Sequence, residues 1–287
     1  MSISLTKTQA GITPPHHAPW RARLKLPLPA SVILSLLILA TIIGWSIAPG
    51  LFTGFDPAIG IPAEKLRAPS VAHWFGTDHL GRDLFARVIH GTASSVSSAL
   101  IAVVIALVFG GLIGLLSGFL GGWVDIILAR LVDVLLAIPN FLLAVIIVTA
   151  LGFSTTNAAI ATGISAVAVF ARVMRSEVLK TRSATFVEAS YLSGGSRWHI
   201  LTRHVLPNAS RSVLPLAVLR FGLSILVIAS LAFLGYGDPP PASDWGLLIS
   251  TGKDYLKWPW LVYAPAIVTI ATVLSLNRIS RWLRKTD

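Results

Sequence analysis

Six apolar segments divide the chain, and all but the short fourth approach the length that a helix needs to cross a membrane. Proline lies inside the third, fifth and sixth segments, where neighbouring groups can satisfy the carbonyls that it frees. The segments cover approximately residues 30–47, 98–120, 131–151, 158–170, 213–234 and 260–276. The pattern predicts an all-α integral membrane protein with six transmembrane helices.

Composition supports this prediction. Hydrophobic residues make up 54% of the 287 positions and charged residues only 12%, with a mean hydropathy of +0.77. These values exclude an ordinary soluble enzyme. The first apolar segment follows a long basic leader, and its only small-residue site, Ser46 to Ala48, is followed by Pro49. We therefore expect a retained membrane anchor rather than a cleaved signal peptide.

The distribution of Lys and Arg predicts the orientation. Four lie in residues 1–28, seven in 172–211 and four after residue 277, whereas the remaining loops balance them with acids. Basic loops stay cytoplasmic, so both termini are predicted inside. The predicted division is then a cytoplasmic tail, a first transmembrane helix, a periplasmic loop with an amphipathic helix, a five-helix core with a cytoplasmic loop at 172–212, and a second tail. Their respective bounds are 1–28, 29–49, 50–97, 98–277 and 278–287.

Glycine recurs every fourth position in the second segment, at Gly110, Gly114, Gly118 and Gly122. Such spacing places four positions without side chains on one helix face and lets another helix approach closely. We interpret the face as a packing surface, the alternative being a direct role in a substrate path.

An amphipathic helix is predicted within residues 73–91, before the second span. Its apolar face would carry Leu84, Phe85, Val88 and Ile89, and its charged residues lie elsewhere. Thr77 or Asp78 is expected to cap it. The helix would either anchor the loop at the outer membrane surface or contact an external partner.

The central cytoplasmic segment, residues 186–208, has the pattern of a helical hairpin. A Gly194-Gly195 break separates two short helices, with Ser196 as the predicted N-cap of the second and Pro207 as its stop. In the second helix, an apolar stripe is predicted from Trp198, Leu201 and Val205. An apolar hairpin face can dock into a groove on another protein. DNA binding is disfavoured because two membrane spans tether the hairpin, so no nucleic-acid partner is expected.

Three motifs give this sequence a resemblance to a known family. Glu188-Ala189-Ser190, Gly194 and the run His204 to Asn208 resemble the EAA motif of ABC importer permeases. The stretch FGTDHLGRD (75–83) and FLGYG (233–237), followed by Pro240 and DWG (244–246), resemble motifs of the C-type permeases of dipeptide, oligopeptide and nickel importers. The resemblance spans about residues 49–277. Ser190 replaces the usual alanine, and the chain after Asn277 departs from the family pattern.

The resemblance implies the type I ABC importer permease fold, with 98–277 as its core, in a bacterial inner membrane. It implies that the hairpin is a coupling helix seated in a cytoplasmic ATPase. The implied coupling residues are Glu188, Ala189, Ser190, Gly194, Trp198, His204, Leu206 and Pro207. The periplasmic family motif comprises Gly76, Thr77, Asp78, Gly81, Arg82 and Asp83. Implied partners are a second, homologous permease forming a heterodimer, two ATP-binding subunits, and a periplasmic or lipid-anchored substrate-binding protein, besides the lipid bilayer.

The chain itself shows no ATP site. Thr251-Gly-Lys253 is followed by Asp254 and has no glycine at the spacing of a P-loop. We therefore expect a transport subunit rather than an enzyme, with no cofactor of its own, because ATP would be bound by partner subunits. Energy would arrive mechanically through the hairpin.

The cargo and the driving force leave alternatives. The resemblance favours di- or oligopeptides or a related small solute, with nickel or a metal chelate as the other importer cargo. No metal site is predicted in this chain, because its histidines are scattered; they are His16, His17, His73, His79, His90, His199 and His204. A secondary transporter driven by an ion gradient would need ionisable residues within the membrane. The candidates are Arg130, Asp133 and Arg220, for which pairing or snorkelling is the competing role. A membrane scaffold that transports nothing would leave the hairpin unexplained.

Overall fold

The computed structural model describes residues 29–286, so the predicted tail 1–28 lies outside the described residues. Within that range the chain is helical and contains no β-strand. The helices are α1 (Ala30–Ile47), α2 (Leu84–Leu120), α3 (Gly122–Ala137), α4 (Asn140–Leu151), α5 (Thr155–Arg182), α6 (Thr185–Leu192), α7 (Arg197–Ile200), α8 (Leu206–Phe233), α9 (Trp245–Gly252) and α10 (Trp260–Thr286).

Five helical segments of the described chain are long and apolar enough to cross a membrane: α1, α2, α5, α7 continued into α8, and α10. A sixth span results if α3 and α4 together form one bent crossing. These two helices meet at 92°, so the third predicted segment is not one unbroken helix. The break falls at Ile138 and Pro139, where Ile138 is extended because a residue before proline is forced out of the helical region.

The second span is longer than predicted. One uninterrupted helix, α2, runs through the region for which a separate amphipathic helix was expected. Asp83 caps it by accepting a hydrogen bond from Ala86 N at 2.6 Å, so the predicted cap at Thr77 or Asp78 is wrong. Leu84, Val88 and Ile89 are buried inside the protein. This stretch is therefore not a helix lying on the outer membrane surface.

Three of the four glycines spaced four residues apart bring α2 into close contact with α5. A Cβ at Gly110 would lie 2.5 Å from Val167 O, and one at Gly114 would lie 2.3 Å from Ala171 O. Gly118 faces Val178 in the same way. Gly122 does not take part in this contact. The helix ends at Leu120, and Gly121 and Gly122 both have positive φ angles that turn the chain into α3, with nothing within 4 Å of a Cβ on Gly122.

Pro207 does not end the second hairpin helix. A π-helical turn at Leu201–Val205 joins α7 to α8, and Leu206 N donates to Leu201 O across the turn. Proline has no N–H and crowds the carbonyl four residues earlier. The wider turn accommodates the ring, and the helix runs from Arg197 to Phe233 without a stop.

The C-terminal residues continue the last helix. Helix α10 extends to Thr286, beyond the boundary predicted at residue 278. Arg278 Nε donates to Ser31 Oγ at 2.9 Å, and Ser280 Oγ donates to Pro215 O at 2.6 Å. These bonds fix the end of α10 to α1 and α8.

Candidate functional site

The hairpin between α5 and α8 is anchored in the core at three points. Val187 of α6, Ile200 of α7 and Val205 of the π-turn are all fully buried, and they pack in one cluster with Phe170 and Val178 of α5. Movement of the hairpin must therefore displace the ends of two membrane-spanning helices.

The turn of the hairpin is a Schellman motif. Gly194 N donates to Tyr191 O and Gly195 N donates to Ser190 O, both at 3.0 Å, and Gly194 has a φ of +82°. This pattern satisfies the free carbonyls at the end of α6. A Cβ at Gly195 would lie 2.8 Å from Ser190 O, so that glycine is also required by space. Ser196 Oγ accepts from His199 N at 3.2 Å, which confirms the predicted N-cap.

The outer surface of the hairpin carries both apolar and acidic groups. Leu192 is 89% exposed and Trp198 72% exposed, and Glu188 and Ala189 are exposed beside them. The predicted stripe of Trp198, Leu201 and Val205 is wrong, because Trp198 faces outward while Val205 is buried. Ile200, not Trp198, anchors the second helix.

His204, Leu206 and Pro207 lie at the base of the hairpin rather than at its tip. The ring of His204 contacts Phe186 with 6.1 Å between ring centroids, and it contacts His199 at 5.8 Å. Asn208 Nδ2 donates to His204 O at 2.6 Å. The segment predicted for coupling thus separates into an exposed tip and a base that joins it to α8.

The motif at residues 76–83 takes part in a buried ionic cluster. Asp78 Oδ2 accepts from Arg82 Nε and from Arg87 Nη1, both at 2.7 Å, and Arg87 Nη2 donates to Ala242 O at 2.8 Å. Burial acts to raise the pKa of Asp78, but hydrogen bonds from Arg82 and Arg87 outweigh it and hold the pKa below its ordinary value. The cluster ties the 49–83 loop to α2 and to the segment before α9.

The rest of this motif fixes the loop backbone. Thr77 Oγ1 donates to Glu64 O and accepts from Arg67 N. His73 Nδ1 lies 2.8 Å from Asp83 Oδ2. Gly76 and Gly81 have positive φ angles and touch neighbouring backbone so closely that a side chain would not fit. All six motif residues are buried within the chain, so they position the 49–83 loop and do not themselves present a surface to a partner.

Two residues at the start of α9 also stabilise the fold. Trp245 is fully buried, and its Nε1 donates to Val88 O at 3.2 Å. Asp244 caps α9 by accepting from Leu247 N at 3.1 Å, and its burial raises the pKa of its carboxyl group. A Cβ at Gly91 would overlap Ser243 O at 1.6 Å. The sequence carries no signal for this close approach, because a single glycine beside a histidine has no periodic pattern.

The ionisable residues of the core include two ion pairs. Arg175 forms a bidentate pair with Asp125 at 2.6 and 2.7 Å, and Arg172 Nη2 donates to Asp133 at 2.8 Å. Both pairs join α3 to α5, which favours the pairing role for Asp133. In the described part of the chain, neither Arg130, which is exposed, nor Arg220 forms an ion pair, and the Nε atom of Arg220 is buried without a hydrogen bond. Among residues 29–286, no group of three or more His, Cys, Asp or Glu side chains is placed to hold a metal ion.

Comparison with known proteins places this geometry among transport subunits. Residues 110–286 match the family described as binding-protein-dependent transport system inner membrane component. A dipeptide transport system permease of Alkalihalophilus pseudofirmus is 38% identical over 269 residues, covering 93% of this chain and 88% of that protein. A glutathione transport system permease of Shigella flexneri serotype 5b is 39% identical over 274 residues, covering 94% and 89%.

Two solved structures share the fold. The MetNI methionine ABC transporter in an inward-facing conformation matches with a TM-score of 0.57 and 16% identity, covering 70% of this chain and 96% of that one. An amino acid ABC transporter crystallised with histidines matches with a TM-score of 0.56 and 15% identity, covering 69% and 93%.

Proposed function

The chain belongs to the family of binding-protein-dependent transport system inner membrane components and has the type I ABC importer permease fold, and we propose that its cargo is a di- or oligopeptide or a related small peptide. The relatives that cover most of its length are permeases for dipeptides and for glutathione, itself a small peptide. Nickel or a metal chelate is the alternative cargo. No relative reported above transports a metal, so we take peptide as the working assignment.

The hairpin is the observation that carries the mechanism. Its tip presents Glu188, Leu192 and Trp198 to solvent, while Val187 and Ile200 fix its inner side to α5 and α8. An ATP-binding subunit that holds the tip would move both helices when it closes on ATP. That motion would switch the path between outward and inward access, which is rigid-body coupling of known type.

The remaining subunits follow from the same proposal. Members of this family act with ATP-binding subunits and a substrate-binding protein. We assign two ATPases to the cytoplasmic side, a periplasmic or lipid-anchored binding protein to the other side, and a distinct homologous permease to the second half of the path. The chain would lack its own ATP site and bind no cofactor. Arg278, Arg281 and Arg284 at the end of α10 support a cytoplasmic C-terminus, and six crossings, counting α3 and α4 as one, would put the N-terminus on the same side.

Uptake of labelled cargo by whole cells tests the assignment. The gene for this chain is deleted from its native host, and uptake of a ¹⁴C-labelled dipeptide, labelled glutathione and ⁶³Ni²⁺ is measured in separate cultures. We expect the deletion to abolish uptake of at least one peptide and a plasmid copy to restore it. Unchanged peptide uptake with lost nickel uptake would show that the cargo is nickel and not a peptide. Unchanged uptake of all three would refute the assignment.

Two controls separate loss of transport from loss of the protein. The restored strain is compared with one carrying Trp198→Ala, which removes an exposed side chain of the hairpin tip, and one carrying Trp123→Ala at the start of α3. The two tryptophans are equally exposed, at 72% and 73%. We expect only Trp198→Ala to impair uptake. Equal amounts of each variant in the membrane fraction, verified by immunoblot, are required for the comparison.

A further inference from the structure

An apolar groove opens between the loop at residues 69–75 and the first turns of α10. Its volume is about 360 Å³, and the described residues that line it are all apolar or aromatic. The groove lies at the end of α10 that is remote from the hairpin, because Ser280, near the other end, bonds to α8. From the loop it is lined by Trp74 and Phe75, and from α10 by Trp260, Tyr263, Ile267 and Val268.

The two sides of the groove are held in place by contacts with the rest of the chain. The ring of Phe85 in α2 lies 4.9 Å from that of Trp74 and 5.0 Å from that of Phe75, measured between centroids. Trp260 Nε1 donates to Thr77 O at 3.4 Å, which ties the start of α10 to the same loop. The groove is therefore formed before any ligand binds, as most binding sites for small molecules are.

The groove has the depth of one membrane leaflet. From Trp260 to Val268 the helix rises about 12 Å, at about 1.5 Å per residue, and half of a hydrocarbon core is about 15 Å thick. Tryptophan and tyrosine concentrate at the boundary between membrane and water, where Trp260 and Tyr263 begin the span. The groove therefore begins at this boundary and continues into the hydrocarbon.

The groove also lies at the edge of the helix bundle. Helix α1 packs mainly on α10 and α2, and only 17% of its residues are buried. Trp45, near the end of α1, belongs to the same apolar cluster as Phe75 and Trp260, so α1 flanks the groove. A membrane-spanning helix that is apolar and exposed on its outer side faces lipid. Lipid is therefore the neighbour that this position favours.

A basic residue lies near the open end of the groove. Lys257 is exposed and stands two residues before Pro259, which also lines the groove. Their Cα atoms are therefore no more than about 7 Å apart. Basic residues at a membrane surface attract the phosphates of anionic lipids. An apolar groove that enters the membrane beside a cation matches the two chemical parts of a phospholipid.

We propose that this groove binds one acyl chain of a phospholipid from the leaflet remote from the hairpin. The bound lipid is neither cargo nor part of the coupling described above. Its chain would fill the space between Trp74 and Ile267 and would tie the 69–75 loop to α10. Through Phe85, the same contact would reach the start of α2 and the buried Asp78 cluster.

Photolabelling in nanodiscs tests the proposal. The chain is purified from native membranes with the subunits that accompany it and placed in nanodiscs of equal parts phosphatidylethanolamine and phosphatidylglycerol. A trace of the phosphatidylglycerol carries a diazirine in one acyl chain, and labelled residues are identified by mass spectrometry. The reference is the turn around Ile43, which is exposed near the same end of α1. We expect labelling of the groove to exceed labelling of this turn about tenfold, a modest preference over bulk lipid.

Matched variants separate the groove from ordinary lipid contact. Ile267→Trp places a larger side chain in the groove, and Ile43→Trp makes the same change on α1. Ile267 is 64% exposed and Ile43 54% exposed, so neither change should disturb the folded core. We expect Ile267→Trp to lower labelling of the groove about tenfold and Ile43→Trp to leave it unchanged.

Three results would overturn the proposal. Equal labelling of the groove and of the turn around Ile43 in wild type would show ordinary lipid contact only. Unchanged labelling of the groove in Ile267→Trp would place the lipid elsewhere. An unlabelled groove in wild type would show that another subunit covers it or that no lipid enters it.

Discussion

One added methyl group at Gly114 measures how closely α2 and α5 must pack. A Cβ at Gly114 would lie 2.3 Å from Ala171 O and 2.8 Å from Arg175 N, roughly 1 Å inside ordinary contact. Both atoms belong to the backbone of α5, so no side chain can rotate away. The two helices must separate, and overpacking of this kind costs about 1–3 kcal/mol.

Gly111→Ala is the matched control because it lies on the same helix and is also buried. Its Cβ would lie 3.7 Å from Met174 Cε, an ordinary contact with a flexible side chain. Both changes raise helix propensity by about 1 kcal/mol, so this contribution cancels when the variants are compared. Unfolding in mixed micelles, titrated with sodium dodecyl sulfate and followed by circular dichroism, should give Gly114→Ala a free energy lower by about 1–3 kcal/mol. Equal free energies for the two variants would refute the close packing.

Further predictions concern the ionic groups. Asp78→Asn should destabilise the 49–83 loop by about 3–5 kcal/mol, because it leaves Arg82 and Arg87 buried beside a neutral group; proteolysis of this loop measures the loss. Because the pKa of Asp78 is lowered in the folded protein, its carboxylate contributes its full share of folding stability above the ordinary pKa of 3.8. That stability is lost as the pH falls through the folded pKa, and the loss should occur in wild type but not in Asp78→Asn. Asp125→Asn should speed hydrogen exchange in α3 more than Asp133→Asn does, because the Asp125 pair is bidentate and less exposed; equal effects would contradict this.

The sequence predicted the spans well where the signal was apolar length, and less well where the backbone departed from a straight helix. Five predicted spans are single helices in the described structure, but the third is broken at Pro139. A proline can either end a helix or be accommodated within it. Pro207 shows the opposite case: a π-turn absorbs it and the helix continues. A local pattern does not distinguish these outcomes, because neighbouring helices decide them.

The site was partly predictable for a related reason. The Gly194 turn and the Ser196 cap depend on local backbone chemistry, and both occur as the sequence indicates. Which face of α7 is buried depends on α5, so Ile200 replaces Trp198 as the anchor. Arg87 is one of the charged residues predicted to lie off the apolar face of the 73–91 helix, yet it is buried, because Asp78 and the carbonyl of Ala242 neutralise and solvate it. Tertiary partners of this kind leave no periodic trace.

Affinity purification from native membranes tests the central claim, that the hairpin tip receives the ATP-driven motion. Wild-type chain, Glu188→Ala, Gly194→Ala and the control Trp123→Ala are each solubilised, captured through a tag, and their partners identified and quantified by mass spectrometry. The account predicts an ATP-binding subunit and a second permease with wild type and with Trp123→Ala. With Glu188→Ala or Gly194→Ala, the ATP-binding subunit should decrease while the second permease remains. Full recovery of the ATP-binding subunit with both hairpin variants, or its absence from the wild-type sample, would contradict the account.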